Sequence, residues 1–280
     1  MSEIQSTNEE FVYHDPWDKL RQFTDARIGL GRVGTSIPTD ELLRFQLSHA
    51  QAIDAVHVPL DIASLETQLQ ESKVLAPYSP VLALHSKVQD RMEYLQRPDL
   101  GRQLDKHSIS KLQDVAACGK HYDLAFVIAD GLSSYAVSRH AKPFLEQLLG
   151  LLQTENEYTW KVAPISLVQE GRVAVGDDVA EALNAKQVIL LIGERPGLSS
   201  PDSMGFYLTW GAKRGMDDSQ RNCISNIRPE GLNYQTAAHR AFYLLTESRC
   251  KSLSGVDLKD RSDDSLLETE EKKLFSLTHL

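Results

Sequence analysis

The chain is predicted to be an α/β protein: a parallel-sheet domain preceded by a mainly helical N-terminal region. Three observations predict it. Leu124 to Ala129 is apolar throughout and stops at Asp130-Gly131, as a strand covered on both faces would. From Cys118 onward, short apolar runs alternate with amphipathic stretches in the order strand, helix, strand, helix, strand. Ahead of Cys118 the apolar residues recur mostly at helical spacing.

Residues 1–16 are polar, end at Asp15-Pro16 and read as a mobile arm. Structure is expected from Trp17. After Pro38, Thr39 is a candidate N-cap with Asp40 and Glu41 in the first turn, and Leu43, Leu47 and Ala50 share one face of the helix that follows. A shorter helix is read over Ile62 to Ser72, then a Pro77 to Pro80 turn and an extended run at Val81 to Val88. Together these make a helical region over 17–115.

The second region, 116–260, opens on the Leu124 to Ala129 strand. Ser134 to Leu152 places Ala136, Val137, Leu145, Leu148, Leu149 and Leu152 largely at helical spacing. A strand follows within Tyr158 to Val168, a helix within Asp177 to Ala185, and strands at Gln187 to Ile192 and Phe206 to Trp210. Ala237 to Leu253 closes the domain as a helix, with Ala238, Ala241, Phe242 and Leu245 on its apolar side. The tail, 261–280, is charged; Leu266, Leu267, Leu274, Leu277 and Leu280 could form a short docking helix, and a frayed polar end is the other reading.

With 280 residues and 41% apolar composition the chain can bury a substantial core. Thirty Lys plus Arg against thirty-nine Asp plus Glu leave a net charge of −9, which argues against nucleic-acid backbones and anionic membranes as partners. No apolar run reaches the ~18 to 20 residues of a membrane span, and the polar opening lacks the parts of a signal peptide, so a cytoplasmic address is expected. Cys118, Cys223 and Cys250 are odd in number and widely spaced, which suggests reduced thiols.

Open α/β sheets bind ligands outside the carboxyl ends of their strands. Here those ends are Asp130-Gly131-Leu132-Ser133 and Gly193-Glu194-Arg195-Pro196-Gly197. Gly193 would let a backbone approach a ligand, while Asp130, Ser133, Glu194 and Arg195 supply directed polar groups. Tight strand-to-helix turns are the structural alternative.

Other motifs carry less. Gly29-Leu30-Gly31-Arg32-Val33-Gly34 spells a dinucleotide fingerprint, but it neither follows a strand nor opens a helix, and reads as a surface turn. Asp105-Lys106-His107-Ser108-Ile109-Ser110 resembles the Asp-x-His-x-x-Gly motif that puts a histidine on cobalt in some cobalamin enzymes; it lacks the final glycine, and His107 reads as an exposed helix residue. No His-Glu-x-x-His pair occurs, so a metal held by this chain alone is not expected. Gly131-Leu132-Ser133-Ser134 is not Gly-x-Ser-x-Gly, and Ser133 is better read as an N-cap. Asp177-Asp178 fits a helix N-terminus better than a cation site. Arg221 to Pro229 is dense in small polar groups around Cys223, which reads as a buried packing residue; a reactive thiol would need a nearby base, and the sequence shows no obvious one.

Five segments together resemble the small-subunit family of ethanolamine ammonia-lyase in order and spacing. They are Ala26 to Arg32, Leu42 to Gln46, Ala129 to Ser133, Ile192 to Leu198 and Asn222 to Ile227, and the likeness runs over about residues 17–260. The resemblance implies a Rossmann-like domain that holds adenosylcobalamin, with its own dimethylbenzimidazole on cobalt, against the barrel of a large subunit. It implies cofactor contacts at Val173, Glu194 and Cys223, ethanolamine bound in the large subunit, and radical conversion of ethanolamine to acetaldehyde and ammonia. It further implies a dodecamer of six small and six large subunits, and no catalytic acid or base in this chain. The arm lacks the amphipathic helix by which some members enter bacterial microcompartments, so encapsulation is not expected. The same alternating pattern also allows a free-standing nucleotide-binding protein, or a subunit that only stabilises a partner.

Overall fold

The computed structural model describes residues 12–13, 15–24, 26–117, 119, 121–155 and 158–262. Most of the arm and the leucines of the tail lie outside them, as does Cys118. Two short strands, β1 (Val12–Tyr13) and β2 (Arg32–Val33), pair antiparallel, and the glycine-rich Gly29 to Gly34 segment wraps around β2 as a turn.

Helix α1 (Thr39–His57) begins at the residue expected to cap it: Thr39 is inside, and the N-cap is Pro38, which offers no side-chain acceptor. Asp40 and Glu41 still occupy the first turn, where they favour the helix dipole. Helix α2 (Ile62–Gln70) is capped by Asp61, whose carboxylate accepts from the Ser64 amide. The extended run after Pro80 is strand β3 (Leu82–His85), and it belongs to the main sheet, not to the helical region. Helices α3 (Arg91–Gln96) and α4 (Lys106–Ala116) follow, capped by Asp90 and Asp105.

Beyond α4 come β4 (Tyr122–Ala129), α5 (Ser134–Thr154), β5 (Ser166–Gln169), α6 (Val175–Leu183) and β6 (Ala185–Gly193). The chain then adds β7 (Met204–Trp210), β8 (Arg221–Ile227) and α7 (Tyr234–Lys251). One six-stranded sheet results, in the order β3-β5-β4-β6-β7-β8.

The expected all-parallel sheet is corrected to a mixed one. Strands β3, β5, β4 and β6 are parallel, but β7 runs antiparallel to both β6 and β8. The reason lies in the connection. A parallel return needs a crossover of a dozen or more residues, usually a helix, whereas residues 194–203 contain none and bring the chain straight back.

Side chains alternate across the sheet as the pleat requires. Phe126, Ile128, Ile189, Leu191, Phe206 and Leu208 pack under α5 and α7, with Phe144 edge-on to Phe206. Val127, Ala129, Val188 and Leu190 pack with Leu112, Val179 and Leu183 of α4 and α6 on the other side. Because both faces of β4 are covered, all eight of its residues are buried, which accounts for its uninterrupted apolar run.

Candidate functional site

The loops leaving β4 and β6 are built against each other. A Cβ on Gly193 would lie 2.0 Å from the Ser133 carbonyl oxygen, and one on Gly131 would lie 2.3 Å from the Gly193 carbonyl oxygen. Gly131 also sits at φ +59°, and the Leu132 amide donates to the Gly193 carbonyl at 3.0 Å. The glycine at 193 is thus required by packing between the two loops. Ser133 caps α5 through the Ala136 amide, and its hydroxyl donates to the Pro201 carbonyl at 2.8 Å, tying the β6–β7 loop to the same corner. Ser133 and Asp130 are both buried, so they shape these loops from inside.

Asp130 reaches sideways to the end of β5. Its two carboxylate oxygens accept from the Glu170 amide at 3.0 Å and the Gly171 amide at 3.1 Å. Burial, and then the nearby Glu170 charge, push its pKa up to about 6. Val173 follows this bend as a half-buried residue packed on the α4/α6 side of the sheet.

Glu194 leaves the end of β6 half-buried. Its Oε2 accepts from the Ser203 hydroxyl and, at 3.2 Å, from the Asn226 amide, while Oε1 lies over Gly205 and accepts no hydrogen bond among the described residues. A Cβ on Gly205 would meet both the Glu194 carboxylate, at 3.0 Å, and the Tyr207 ring, at 3.3 Å. Tyr207 faces Cys223 in the β7–β8 register, and Cys223 is exposed, with its thiol 3.5 Å from the Ser225 hydroxyl. Burial first, and Cys223 second, push the Tyr207 hydroxyl above its ordinary range.

Glu194, Tyr207 and Cys223 therefore form one patch, and Val173 packs on the same α4/α6 side of the sheet. Over β7 and β8 that side is left partly open: α4 and α6 cover β3, β4 and β6, whereas α5 and α7 cover the opposite face of β7. A hollow of about 370 Å³ is lined by Ala174, which follows Val173 in the chain, and by Arg214, Met216 and Asp217. A larger one, about 530 Å³, lies between α4 and α6, bordered by Asn184 just before β6, and shares Arg214 with the first. Arg195 is exposed beside Glu194.

Tyr207 is not singled out by the sequence; only the strand register places it between Glu194 and Cys223. Ser203 and Asn226, which hold Glu194, are likewise missed as partners. The Asp177-Asp178 pair is engaged by two cations: Arg221 forks onto Asp177 at 2.6 and 2.7 Å, and Arg214 holds Asp178. Among the described residues no group of His, Cys, Asp and Glu is arranged to hold a metal ion.

The sequence matches a family of known proteins over most of its length. The family model described as ethanolamine ammonia-lyase light chain matches residues 14–259. The ethanolamine ammonia-lyase small subunit of Pseudomonas aeruginosa (strain UCBPP-PA14) is 52% identical over 257 residues, 91% of each chain. That of Ralstonia nicotianae is 52% identical over 258 residues, covering 92% of this chain and 93% of its own. The Pseudomonas fluorescens (strain SBW25) small subunit is 51% identical over 262 residues, 93% of this chain and 92% of its own.

Proposed function

The chain belongs to the ethanolamine ammonia-lyase small-subunit family, and from that membership we propose that it holds adenosylcobalamin on the partly open face of β7 and β8, against a large subunit that binds ethanolamine. As a subunit of this carbon–nitrogen lyase (EC 4.3.1.7) it serves ethanolamine catabolism, and a small subunit implies a large one as partner. The observation that carries the cofactor reading is the patch itself. Glu194 offers an unengaged carboxylate oxygen toward amide donors, Tyr207 and Val173 offer apolar contact, and Cys223 lies open on the strand beside them.

The cofactor, when bound, supplies radical initiation by cleavage of its cobalt–carbon bond, and the protein supplies position and exclusion of side reactions. This chain's share is to orient the corrin through Glu194, Cys223 and Val173, with Gly193, Arg195, Asp130 and Ser133 shaping and flanking the loops that carry them. The rival nucleotide-binding reading is disfavoured locally, because Asp177 and Asp178 occupy the first turn of α6, where a phosphate would be expected to sit.

Base-on binding is part of the proposal. Asp105, the aspartate of the partial cobalt-ligand motif, is occupied as the N-cap of α4, accepting from the Ser108 amide at 2.7 Å, and His107 is exposed in the first turn behind it. Paramagnetic resonance of the reduced cofactor in the assembled enzyme should show a benzimidazole nitrogen on cobalt; coupling to labelled protein histidine would refute it.

The assembly is proposed to contain six small and six large subunits in the cytoplasm; among the described residues no helix is long and apolar enough to cross a membrane. The chain alone should release no acetaldehyde from ethanolamine, and activity should emerge on co-expression with the large subunit and addition of adenosylcobalamin. Turnover by the isolated chain would overturn this division of labour.

A further inference from the structure

We propose that Arg91 and Tyr94 of α3, together with Asp130, form a clamp that positions the 170–173 loop for the cofactor, so that the helical N-terminal region sets the shape of the cofactor site. The inference rests on the reading that Val173, at the end of this loop, touches cobalamin.

The loop makes an unusual turn and is held at almost every backbone group. Glu170 adopts φ +53°, in the left-handed region that a residue with a Cβ rarely enters. Its amide and that of Gly171 each donate to a separate oxygen of Asp130, at 3.0 and 3.1 Å. The Gly171 carbonyl accepts from the hydroxyl of Tyr94, which is fully buried, at 3.1 Å. The Arg172 amide donates to the Gly101 carbonyl at 2.7 Å. Four backbone groups between Glu170 and Val173 are thereby fixed by partners outside the loop.

The side chains of the loop close the clamp from the other direction. The Glu170 carboxylate meets the Arg91 guanidinium at 2.8 Å, and the same guanidinium nitrogen lies 3.6 Å from Asp130. Arg91 also donates to the Val56 carbonyl, in the last turn of α1, at 2.7 Å. Arg172 lies over the Tyr94 ring, 4.1 Å from its centroid, and donates to the Tyr94 carbonyl at 3.1 Å; Arg91 lies 4.6 Å from the same centroid. Two guanidinium and two carboxylate groups balance in charge within this cluster. Arg91 Nη2 and Arg172 Nε, both buried, have no acceptor among the described residues, so these side chains are placed for the ring and the loop at the expense of their own hydrogen bonding.

A fold-stabilising role alone predicts lower stability with an unchanged cofactor site; a positioning role predicts that the loop loosens and cobalamin is held less well once it does. The assembled two-subunit enzyme carrying Arg91→Met, Arg91→Lys or Tyr94→Phe separates the two. Without cofactor, hydrogen exchange at the Glu170 and Gly171 amides should rise at least about tenfold in Arg91→Met. Its KM for adenosylcobalamin should rise about tenfold or more, with kcat at saturating cofactor within about twofold of the parent. Arg91→Lys should fall between. Tyr94→Phe, which removes only the hydroxyl and keeps the ring, should raise KM by about three- to tenfold and gives the readout if Arg91→Met fails to assemble.

Faster exchange with an unchanged KM would overturn the positioning role, and unchanged exchange would overturn the clamp. Glu194→Ala, measured in parallel, tells the two levels apart. If it raises KM while the clamp variants do not, the inference fails and the cofactor reading stands. If none of the variants moves KM, the cofactor reading itself fails.

Discussion

Replacing Arg221 with methionine is expected to lower the thermal unfolding midpoint by roughly 5 to 10 °C, corresponding to about 3 to 5 kcal/mol. Arg221 lies in β8 with its side chain 2% exposed, and it forks onto the Asp177 carboxylate, which is 1% exposed. It also donates to the Thr209 hydroxyl and the Met216 carbonyl, both at 3.1 Å. Removing it strands a buried carboxylate whose pKa burial already pushes upward and whose neighbour is Asp178. The pairing, not the mere presence of charge, is the expected source of stability, so Arg221→Met combined with Asp177→Leu should recover most of the loss. A calorimetric scan of both variants, each co-expressed with the large subunit, checks this. Equal losses in the single and double variants would show that the pair is not what joins β8 to α6.

Gly193→Ala is expected to cost about 3 kcal/mol or to leave the chain insoluble. The added methyl would lie 2.0 Å from the Ser133 carbonyl oxygen and 2.6 Å from that of Asp130, and backbone cannot yield as the end of a flexible side chain can. Relief would require β4 and β6 to part at their ends, where residues 130 to 133 and 193 interlock. Gly150→Ala in α5 is the matched control: nothing lies within 4 Å of its new Cβ, and a helical position should gain up to about 1 kcal/mol. Soluble yield and unfolding midpoint of the two variants, side by side, decide the matter. Comparable behaviour of the two would mean that the loops repack freely.

Elements whose signal is local were legible in the sequence. Strands β4 and β6 are continuous apolar runs because both of their faces are covered, and α5 carries its buried residues at helical spacing behind a serine cap. Strand β8 carries no such signal: Arg221 to Pro229 shows only a density of small polar groups. It is an edge strand whose residues Asn222, Cys223, Ser225 and Asn226 are not buried, and a register shift opposite Met204 and Phe206 breaks the alternation that would reveal it. The direction of β7 was equally hidden, since period-2 patterning is the same for parallel and antiparallel strands; only the helix-free connection before it points the other way.

The candidate site divides in the same manner. Glu194 was legible as a polar residue at the end of an apolar strand. Val173 came from family resemblance alone, since a valine after Gly171-Arg172 has no chemical signature. Partnerships across long sequence separations, such as Glu194 with Asn226, Asp130 with Glu170, and Asp177 with Arg221, leave no trace in spacing, and Asp177-Asp178 therefore read only as helix-favouring acids. Gly193, Asp130 and Ser133 stand at strand ends where a ligand would be met, whereas within the chain they fit the strand-end loops together, Ser133 as the N-cap its position suggests.

The affinity of the assembled enzyme for adenosylcobalamin, measured for Glu194→Ala with its unfolding midpoint recorded in the absence of cofactor, tests the proposed site most directly. Oε2 of Glu194 is engaged by Ser203 and Asn226, so its removal disturbs the β6–β7 loop somewhat; Oε1 lies over Gly205 and is the group proposed to meet the cofactor. Ser203→Ala, which loosens the loop but keeps the carboxylate, separates the two contributions. The account predicts that Glu194→Ala weakens cobalamin binding by roughly 1 to 3 kcal/mol, about fivefold to somewhat over a hundredfold, that Glu194→Gln loses less, and that Ser203→Ala loses least. Unchanged affinity in Glu194→Ala with a lowered midpoint would contradict it, making Glu194 a loop fastener and placing the cofactor elsewhere.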